Sequence, residues 1–173
     1  MFFNFFNALK KWIKFCWVLP MAKIQIIVGT VEGTAWKAAQ SAAVIMEKLG
    51  HQAEVNEETT PQDLLRDTNE ILLVCCSTTG NGEIPRNIYP VYSALDNEVL
   101  NLSGRRYGVI ALGDRGYPRF AHAGLLLEDA FYRSGARRIG DILTIDAQVE
   151  DRPHFAAAIW AKDWVNDIGH ELH

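Results

Sequence analysis

Three short segments of this sequence combine glycine, hydroxyl and carboxamide side chains in patterns suited to holding a small ligand. They are residues 29–35, 77–85 and 113–120. Each follows a run of apolar residues, which is typical of a strand buried in a sheet. Because the carboxyl ends of parallel strands meet at one edge of a sheet, we expect the three segments to form one ligand site there.

The first segment, Gly-Thr-Val-Glu-Gly-Thr-Ala, joins a predicted strand to a predicted helix. Glycines allow such a loop to turn tightly, and the N–H groups at the start of a helix attract phosphate. The loop has neither the Gly-Lys-Ser/Thr ending of a nucleotide-binding P-loop nor a G-x-G-x-x-G pattern. By itself it predicts either a phosphate site or a plain strand–helix connection.

The other two segments are suited to a flat ligand. Residues 77–85 are Ser-Thr-Thr-Gly-Asn-Gly-Glu-Ile-Pro. Glycine and asparagine tolerate the left-handed backbone conformations that let a loop approach a ring closely. Residues 113–120 place Tyr117 in a turn. An aromatic side chain there either stacks on a planar ligand or folds back on the core, and the residue type alone leaves both open.

The elements around these loops alternate in type. Short apolar runs predict strands at residues 23–28, 52–55, 70–76, 106–112 and 138–145. Apolar spacing and capping signals predict helices at residues 35–49, 61–66, 85–96, 120–134 and 153–169. Five strands alternating with helices indicate an α/β fold of three layers, in which a five-stranded parallel sheet has helices on both faces.

Length and charge limit the functional classes. The chain has 173 residues, of which 49% are hydrophobic, and this suits one domain with a substantial core. Its net charge is -4, although residues 1–20 carry three lysines and no acid, so the body of the chain is more acidic still. An acidic body argues against nucleic acid as a partner and suits a protein partner with a basic docking surface.

Residues 1–20 do not share the pattern that follows. They are aromatic and basic, and lysines and asparagines interrupt them too often for a membrane span. The sequence favours a dispensable extension, because Met21-Ala22-Lys23 opens the first strand directly. The alternative is an amphipathic helix that contacts a membrane surface.

The three cysteines are Cys16, Cys75 and Cys76, and none has the spacing of a redox pair, a disulfide framework or a metal site. Cys75 and Cys76 lie in a predicted buried strand, where cysteine behaves as a small apolar residue. This pattern predicts a reducing, cytoplasmic setting.

From Met21 onward the sequence resembles the flavodoxin family, and within it the short-chain bacterial flavodoxin-like proteins. The resemblance rests on Ser-Thr-Thr-Gly-Asn-Gly-Glu-Ile-Pro at 77–85 and Leu-Gly-Asp-x-x-Tyr-x-x-Phe at 112–120, and it covers nearly all of residues 21–170. It implies that residues 21–173 form an FMN-binding domain that passes single electrons between a reductase and an acceptor enzyme. It also implies a monomer that is not itself an enzyme, and a redox partner of the flavodoxin/ferredoxin-NADP reductase type.

The resemblance assigns one part of FMN to each loop. The first loop would wrap the phosphate with Thr30, Val31, Glu32, Gly33, Thr34 and Ala35. The second would line the inner face and the N5 edge of the flavin ring with Ser77, Thr78, Thr79 and Gly80, followed by Asn81 and Gly82. The third would form the outer wall with Gly113, Asp114, Tyr117 and Phe120, where Tyr117 stacks on the ring. The Gly80 carbonyl would turn towards N5 when the ring gains an electron and a proton.

Three departures from the family pattern bear on how strongly FMN binds. Glu32 and Ala35 lie where hydroxyl side chains are usual, and a carboxylate beside a phosphate is unfavourable unless it points outward. Thr79 takes the place of an inner stacking Trp or Tyr. Arg115 and Gly116 replace a Ser-Ser pair and bring positive charge near the ring.

Two other functions stay open at this point. An FMN-dependent NAD(P)H or quinone reductase would need a pocket for nicotinamide and substrate over the flavin, usually formed across a dimer. The sequence shows no His/Tyr acid pair for it, and His122 and His154 are the residues that could be proposed. A flavin-free binding module of the same fold finds support only in Glu32 and Thr79.

Overall fold

The computed structural model describes residues 21–171, so both interpretations of residues 1–20 lie outside the described residues. Its strands are β1 (Lys23–Gly29), β2 (Gln52–Asn56), β3 (Ile71–Ser77), β4 (Arg106–Gly113), β5 (Arg137–Arg138) and β6 (Leu143–Asp146). Its helices are α1 (Thr34–Lys48), α2 (Tyr89–Asp96), α3 (His122–Arg133) and α4 (Pro153–Glu171), with a 3-10 helix over Pro61–Leu65. Within the described range, no helix is long and apolar enough to cross a membrane.

The strands form one parallel sheet in the order β2-β1-β3-β4, and both β5 and β6 pair with β4. The strand order reverses between β1 and β3, and doubly wound sheets, flavodoxin-like sheets included, bind ligands beyond the strands at such a point. The register sets Gly29 opposite Cys76 and Ser77 opposite Leu112. The loops that follow β1, β3 and β4 therefore begin at the same edge of the sheet.

Helices cover both faces of the sheet, as the alternation of elements predicts. On one face α1 and α4 pack on Ile24, Ile26 and Val28, and Trp164 of α4 is buried among them. On the other face α2 and α3 pack on a layer that includes Ile27. The strands are apolar on both faces because both faces are covered.

The last predicted strand, 138–145, is interrupted in the structure. It consists of β5 and β6, and between them Gly140 adopts a left-handed φ of +65°. The carbonyls there bond to α4 instead of a strand: Trp164 Nε1 donates to the Ile139 oxygen at 2.9 Å, and Trp160 Nε1 donates to the Asp141 oxygen at 3.3 Å. The spacing of apolar residues along residues 138–145 does not reveal this break, because the hydrogen bonds that replace strand pairing come from two tryptophans of α4.

Two helices begin later than predicted. The chain turns after Pro85 and α2 starts at Tyr89, and α3 starts at His122 instead of residue 120. Ala121 is the residue immediately before α3 and has a left-handed φ of +52°, which residues other than glycine rarely adopt and which lies outside the helical conformation. Its left-handed turn carries the chain from the third loop into α3.

Candidate functional site

A cleft of about 490 Å³ lies at the carboxyl edge of the sheet, within the size range of small-molecule sites. All three predicted loops contribute to it. The predicted site residues that line it are Val31, Glu32, Thr34, Ser77, Thr78, Thr79, Gly80, Gly113, Asp114 and Tyr117. The three loops therefore converge on one cleft, as the sequence predicts.

The remaining predicted residues of the first loop do not line the cleft but shape its wall. The Thr30 hydroxyl turns inward, where it accepts a hydrogen bond from the Gly33 N–H at 3.0 Å. Gly33 has a φ of +81° and begins α1, so only a residue that tolerates this conformation closes the turn. The Ala35 side chain is fully buried in the core. These residues shape the loop, and none of the three side chains is placed to contact a ligand in the cleft.

The first loop nevertheless offers hydrogen-bond donors. Within residues 21–171, the N–H groups of Glu32, Thr34 and Ala35 have no hydrogen-bond acceptor in the protein. They lie at or beside the N-terminus of α1, where the unpaired N–H groups of a helix carry partial positive charge. An anionic group is the natural partner for such donors.

The second loop is a tight hairpin that packs on the third loop and α3. Thr79 and Glu83 form an isolated antiparallel bridge, and Gly80 and Gly82 have φ values of +50° and +108°. Gly82 is covered by Arg119, because a Cβ at Gly82 would lie 2.6 Å from Arg119 Cδ. Asn81 is exposed outside the cleft. Asn81 and Gly82 therefore build the hairpin and do not line the cleft, so their position does not support their prediction as cofactor contacts.

The start of α3 anchors this second loop at two points. The Ala123 N–H donates to Thr78 Oγ1 at 3.2 Å, and His122 Nδ1 lies 2.8 Å from the Gly82 carbonyl oxygen. His122, which could serve as an acid in a reductase, is thus engaged by the backbone and does not line the cleft. His154 stacks beside Phe155 with ring centroids 4.8 Å apart and is also outside the cleft lining.

The third loop is braced by two carboxylates. Asp114 Oδ1 accepts hydrogen bonds from the Gly116 N–H at 2.6 Å and from Gln148 Nε2 at 2.7 Å. Asp146, which ends β6 and is 7% exposed, accepts a hydrogen bond from the Arg115 N–H at 3.1 Å. These contacts fix the turn from which the Tyr117 ring extends.

Arg115 and Phe120 occupy places that the sequence did not predict. Arg115 Nε pairs with Asp146 Oδ2 at 3.1 Å, and its guanidinium lies 4.6 Å from the centroid of the Phe120 ring. Phe120 is partly buried against the core and does not line the cleft, so the prediction that it contacts the cofactor is not supported by its position. The positive charge of Arg115 is offset by Asp146 instead of standing free.

Sequence reasoning missed part of the wall. The cleft is also lined by Leu112, Arg119, Ile145, Ala147, Glu150 and Pro153. Several of these lie in or beside the segment that joins β6 to α4, which begins at the same edge of the sheet. The predicted topology could have indicated these residues, because a fourth loop must follow the last parallel strand at the same edge of the sheet.

The two cysteines of β3 do not belong to the cleft. Cys75 Sγ donates to the Ala35 carbonyl oxygen at 3.2 Å, and burial raises the pKa of the Cys75 thiol to about 12. Burial also raises the pKa of the Cys76 thiol well above its usual value. Both thiols are fully buried and stay protonated at neutral pH, so neither is an accessible nucleophile.

The comparison with known proteins agrees with this geometry. A sequence profile described as Flavodoxin matches residues 26–160. The chain belongs to the flavodoxin family. This flavodoxin is 39% identical over 146 residues to Flavodoxin YqcA of Pectobacterium carotovorum subsp. carotovorum, a match that covers 84% of this chain and 97% of that protein. It is 36% identical over 146 residues to Protein MioC of Escherichia coli K12, which covers 84% and 98% of the two chains.

Solved structures lead to the same family. The structure of a flavodoxin mutant from Pseudomonas aeruginosa matches this flavodoxin with a TM-score of 0.77 and 31% identity, covering 84% of this chain and 97% of that one. The predictions of family, fold and cofactor are confirmed: the protein is an FMN-binding electron-transfer protein.

The residues present fit FMN. The free N–H groups at the start of α1 suit its phosphate, and the cleft beside them is large enough for a ring system. Tyr117 is 57% exposed, and no aromatic ring among residues 21–171 stacks on it. One face of the Tyr117 ring is thus available to a flat ligand.

Glu32 is exposed at the phosphate end of the cleft, and its replacement by threonine is expected to leave the FMN dissociation constant equal or up to a few-fold lower. The change removes a negative charge near the phosphate, and such a charge pair is worth only about 1 kcal/mol at 4 Å in water. Titration of apo-protein with FMN at low and high salt measures the effect, which should shrink as salt rises.

Glu47→Thr is the matched control, because Glu47 is exposed near the other end of α1. A substantially higher dissociation constant for the Glu32 variant alone would show that Glu32 supports the loop, and would contradict the prediction.

Proposed function

We propose that this flavodoxin passes single electrons between protein partners and has no substrate of its own. The proposal rests on one observation about the cleft. Among residues 21–171, those that line it include no histidine, cysteine or lysine, and the charged residues Glu32, Asp114, Arg119 and Glu150 are all at least partly exposed. A reductase acting on a separate substrate would need a positioned proton donor over the ring.

In this proposal the loops divide the work of binding. The N–H groups of Glu32 and Thr34 hold the phosphate, and Tyr117 stacks on the outer face of the ring. Ser77, Thr78 and Thr79 line its inner side. FMN supplies the one-electron chemistry, and the chain orients the ring and shields it from water while leaving an edge open.

The role of Gly80 stays a prediction. Its φ of +50° shows a backbone conformation open to glycine at little cost, and it lines the cleft. A carbonyl at this position can therefore change orientation with little strain, which is what the family resemblance requires of it.

The charge of the rim supports docking to a basic partner. Acidic residues outnumber basic ones in the loops at the carboxyl edge of the sheet. The acidic residues are Glu32, Glu57, Glu58, Glu83, Asp114, Glu150 and Asp151, and the basic ones are Arg86, Arg115, Arg119 and Arg152. We infer a reductase of the flavodoxin/ferredoxin-NADP type and an acceptor protein, each with a basic surface around its own redox group. Charge complementarity of this kind mainly raises the association rate and makes it depend on salt.

The same proposal includes a monomeric protein in a reducing compartment. Its support is limited to the sequence pattern and to the two free, buried thiols of β3. Cysteines without disulfides are usual in proteins of reducing compartments.

One experiment separates the functional alternatives. The purified full chain is expected to release one FMN per chain on denaturation and to take up electrons one at a time in an anaerobic titration followed by absorbance. It is expected not to oxidise NADPH or NADH alone, and to be reduced quickly once a flavodoxin reductase is added, more slowly at high salt.

Sustained NAD(P)H oxidation by the chain alone would favour the reductase alternative. A colourless protein that also fails to bind added FMN would favour a flavin-free module.

A further inference from the structure

Asn87 lies in the turn before α2 and makes three hydrogen bonds to separate stretches of backbone. Its Oδ1 accepts from the Thr30 N–H at 3.1 Å. Its Nδ2 donates to the Val28 carbonyl oxygen at 2.8 Å and to the Glu57 carbonyl oxygen at 2.9 Å. One side chain thus joins the end of β1, the start of the first cleft loop and the loop after β2.

The chemistry of this contact selects a carboxamide. Both ends of the side chain are used, because the oxygen faces a donor and the nitrogen faces two acceptors. A carboxylate at Asn87 would set an oxygen against the Val28 and Glu57 carbonyl oxygens, and a hydroxyl would be too short for both functions. The amide orientation is also unambiguous, since the flipped form would pair oxygen with oxygen.

The backbone around Asn87 is held in place by close packing. Ile88 is 1% exposed and lies against Gly29, where a Cβ would come within 2.8 Å of Ile88 Cγ2 and 2.6 Å of Cys76 Sγ. The missing side chain at Gly29 therefore lets the turn before α2 approach the end of β1. Ser77 Oγ donates to the Gly29 carbonyl oxygen at 3.2 Å and fixes the same point from β3.

These contacts determine which donors of the first loop stay free. The Thr30 N–H is taken by Asn87 and the Gly33 N–H by the Thr30 hydroxyl, while those of Val31, Glu32, Thr34 and Ala35 have no acceptor within the described part of the chain. Asn87 does not line the cleft, so it cannot act by touching a ligand there. Any influence on binding must pass through the loop.

We propose that Asn87 is a positioning residue that pre-organises the first loop, residues 29–35, for the phosphate group of FMN. This inference rests on the proposed function, in which that loop holds the phosphate. Fixing a loop in its binding conformation raises affinity because less ordering is left to be done on binding. The benefit falls on the part of the ligand that the loop contacts, which is the phosphate and not the ring.

The test compares FMN with riboflavin, which has the same ring system and lacks the phosphate. Apo-protein of the full chain and of its Asn87→Ala variant is titrated with each, and quenching of flavin fluorescence gives the dissociation constants. The variant is expected to bind FMN about tenfold more weakly, the usual effect of losing a hydrogen bond or two, and to bind riboflavin within twofold of the parent.

Asn97→Ala is the matched control. The Asn97 amide bonds only to Ser93 within α2, at 2.7 Å to its carbonyl oxygen, and is remote from the first loop. Its removal is expected to leave both dissociation constants unchanged. Asn87→Ser is the second test variant, because its hydroxyl is too short for both functions and adds no charge near the phosphate, and it should repeat the selective loss of FMN affinity if alanine proves too disruptive to fold.

Equal weakening of FMN and riboflavin would overturn the proposal, because a general loss of structure does not distinguish the two ligands. If the variant binds both FMN and riboflavin with the dissociation constants of the parent, the proposal is overturned as well. Failure of the parent chain to bind FMN at all would instead refute the proposed function, so the two failures are distinguishable.

Discussion

Replacing Tyr117 by alanine is expected to raise the dissociation constant for FMN by about ten- to hundredfold. The ring is 57% exposed at the wall of the cleft, so its face is open to a flat ligand there. Stacking of a base on an aromatic side chain is worth about 1–3 kcal/mol, and a flavin offers a larger surface of the same kind. Fluorescence titration of apo-protein measures the loss directly.

The position of Tyr117 is built before any ligand arrives. Its N–H donates to the Asp114 carbonyl oxygen at 3.1 Å, which closes the turn, and Asp114 is itself held by Gln148. The ring therefore loses little freedom when a ligand stacks on it, and most of the stacking energy is available for binding.

Two control variants separate stacking from other causes. Tyr117→Phe keeps the ring and should bind FMN within about threefold of the parent, since the side chain is 57% exposed and the stacking surface is retained. Tyr132→Ala removes a tyrosine that is 70% exposed on α3 and should change nothing. An unchanged dissociation constant for Tyr117→Ala would show that the ring is not on the flavin.

The sheet was predictable because its signals are local. Three of the predicted strands are short apolar runs followed at once by glycine or serine, at Gly29, Ser77 and Gly113, so the sequence alone indicates where these strands end. The parallel topology then follows from the alternation of strands and helices. That the loops meet at one edge needs no further information, and this is why most of the cleft lining was predicted.

The supporting residues were not predictable from the sequence. Asn87 and Asp146 act on segments that are distant along the chain, since Asn87 bonds to Thr30 and Asp146 bonds to Arg115. A lone asparagine before a helix or a lone aspartate after a strand has many common uses. Only the folded arrangement shows which backbone groups they reach.

The position of Phe120 shows a further limit of the sequence. The family motif places an aromatic residue there, and the resemblance gave it a part in the flavin wall. In the structure Arg115 lies over its ring and the core packs beneath it, so Phe120 supports the third loop from behind. A motif gives the residue type but not the direction of the side chain, which depends on its neighbours.

Replacing Gly113 by alanine is expected to lower both the melting temperature and the affinity for FMN. Of the single methyl groups that could be added in this site, we expect this one to have the largest combined effect. A Cβ at Gly113 would lie 2.8 Å from the Ala121 Cα and closer still to the Ala121 nitrogen, and 3.2 Å from a ring carbon of Phe120. Ala121 is fully buried with a left-handed φ, so its backbone cannot retreat easily. Overpacking of this kind costs about 1–3 kcal/mol, or roughly 2–4 °C in melting temperature per kcal/mol at this size.

The reason affinity must fall as well is that the loop between Gly113 and Ala121 carries Tyr117. If the two ends are forced apart, the turn at Asp114 moves and the ring leaves its stacking position. Gly108→Ala is the control in the same strand, since a Cβ there would lie 2.5 Å from a ring carbon of Trp164 and Gly108 does not line the cleft. It should lower the melting temperature by a similar amount and leave the FMN affinity of the folded protein unchanged.

A double variant tests the link between loop and ring. If Gly113→Ala already displaces Tyr117, then adding Tyr117→Ala should weaken FMN binding little further, and the two changes should be far from additive. Full additivity, with Gly113→Ala acting on melting temperature alone, would show that the clash is absorbed without moving the loop. The outcome decides whether Gly113 serves the fold only, or whether its missing side chain is what allows β4 and the start of α3 to hold Tyr117 over the cleft.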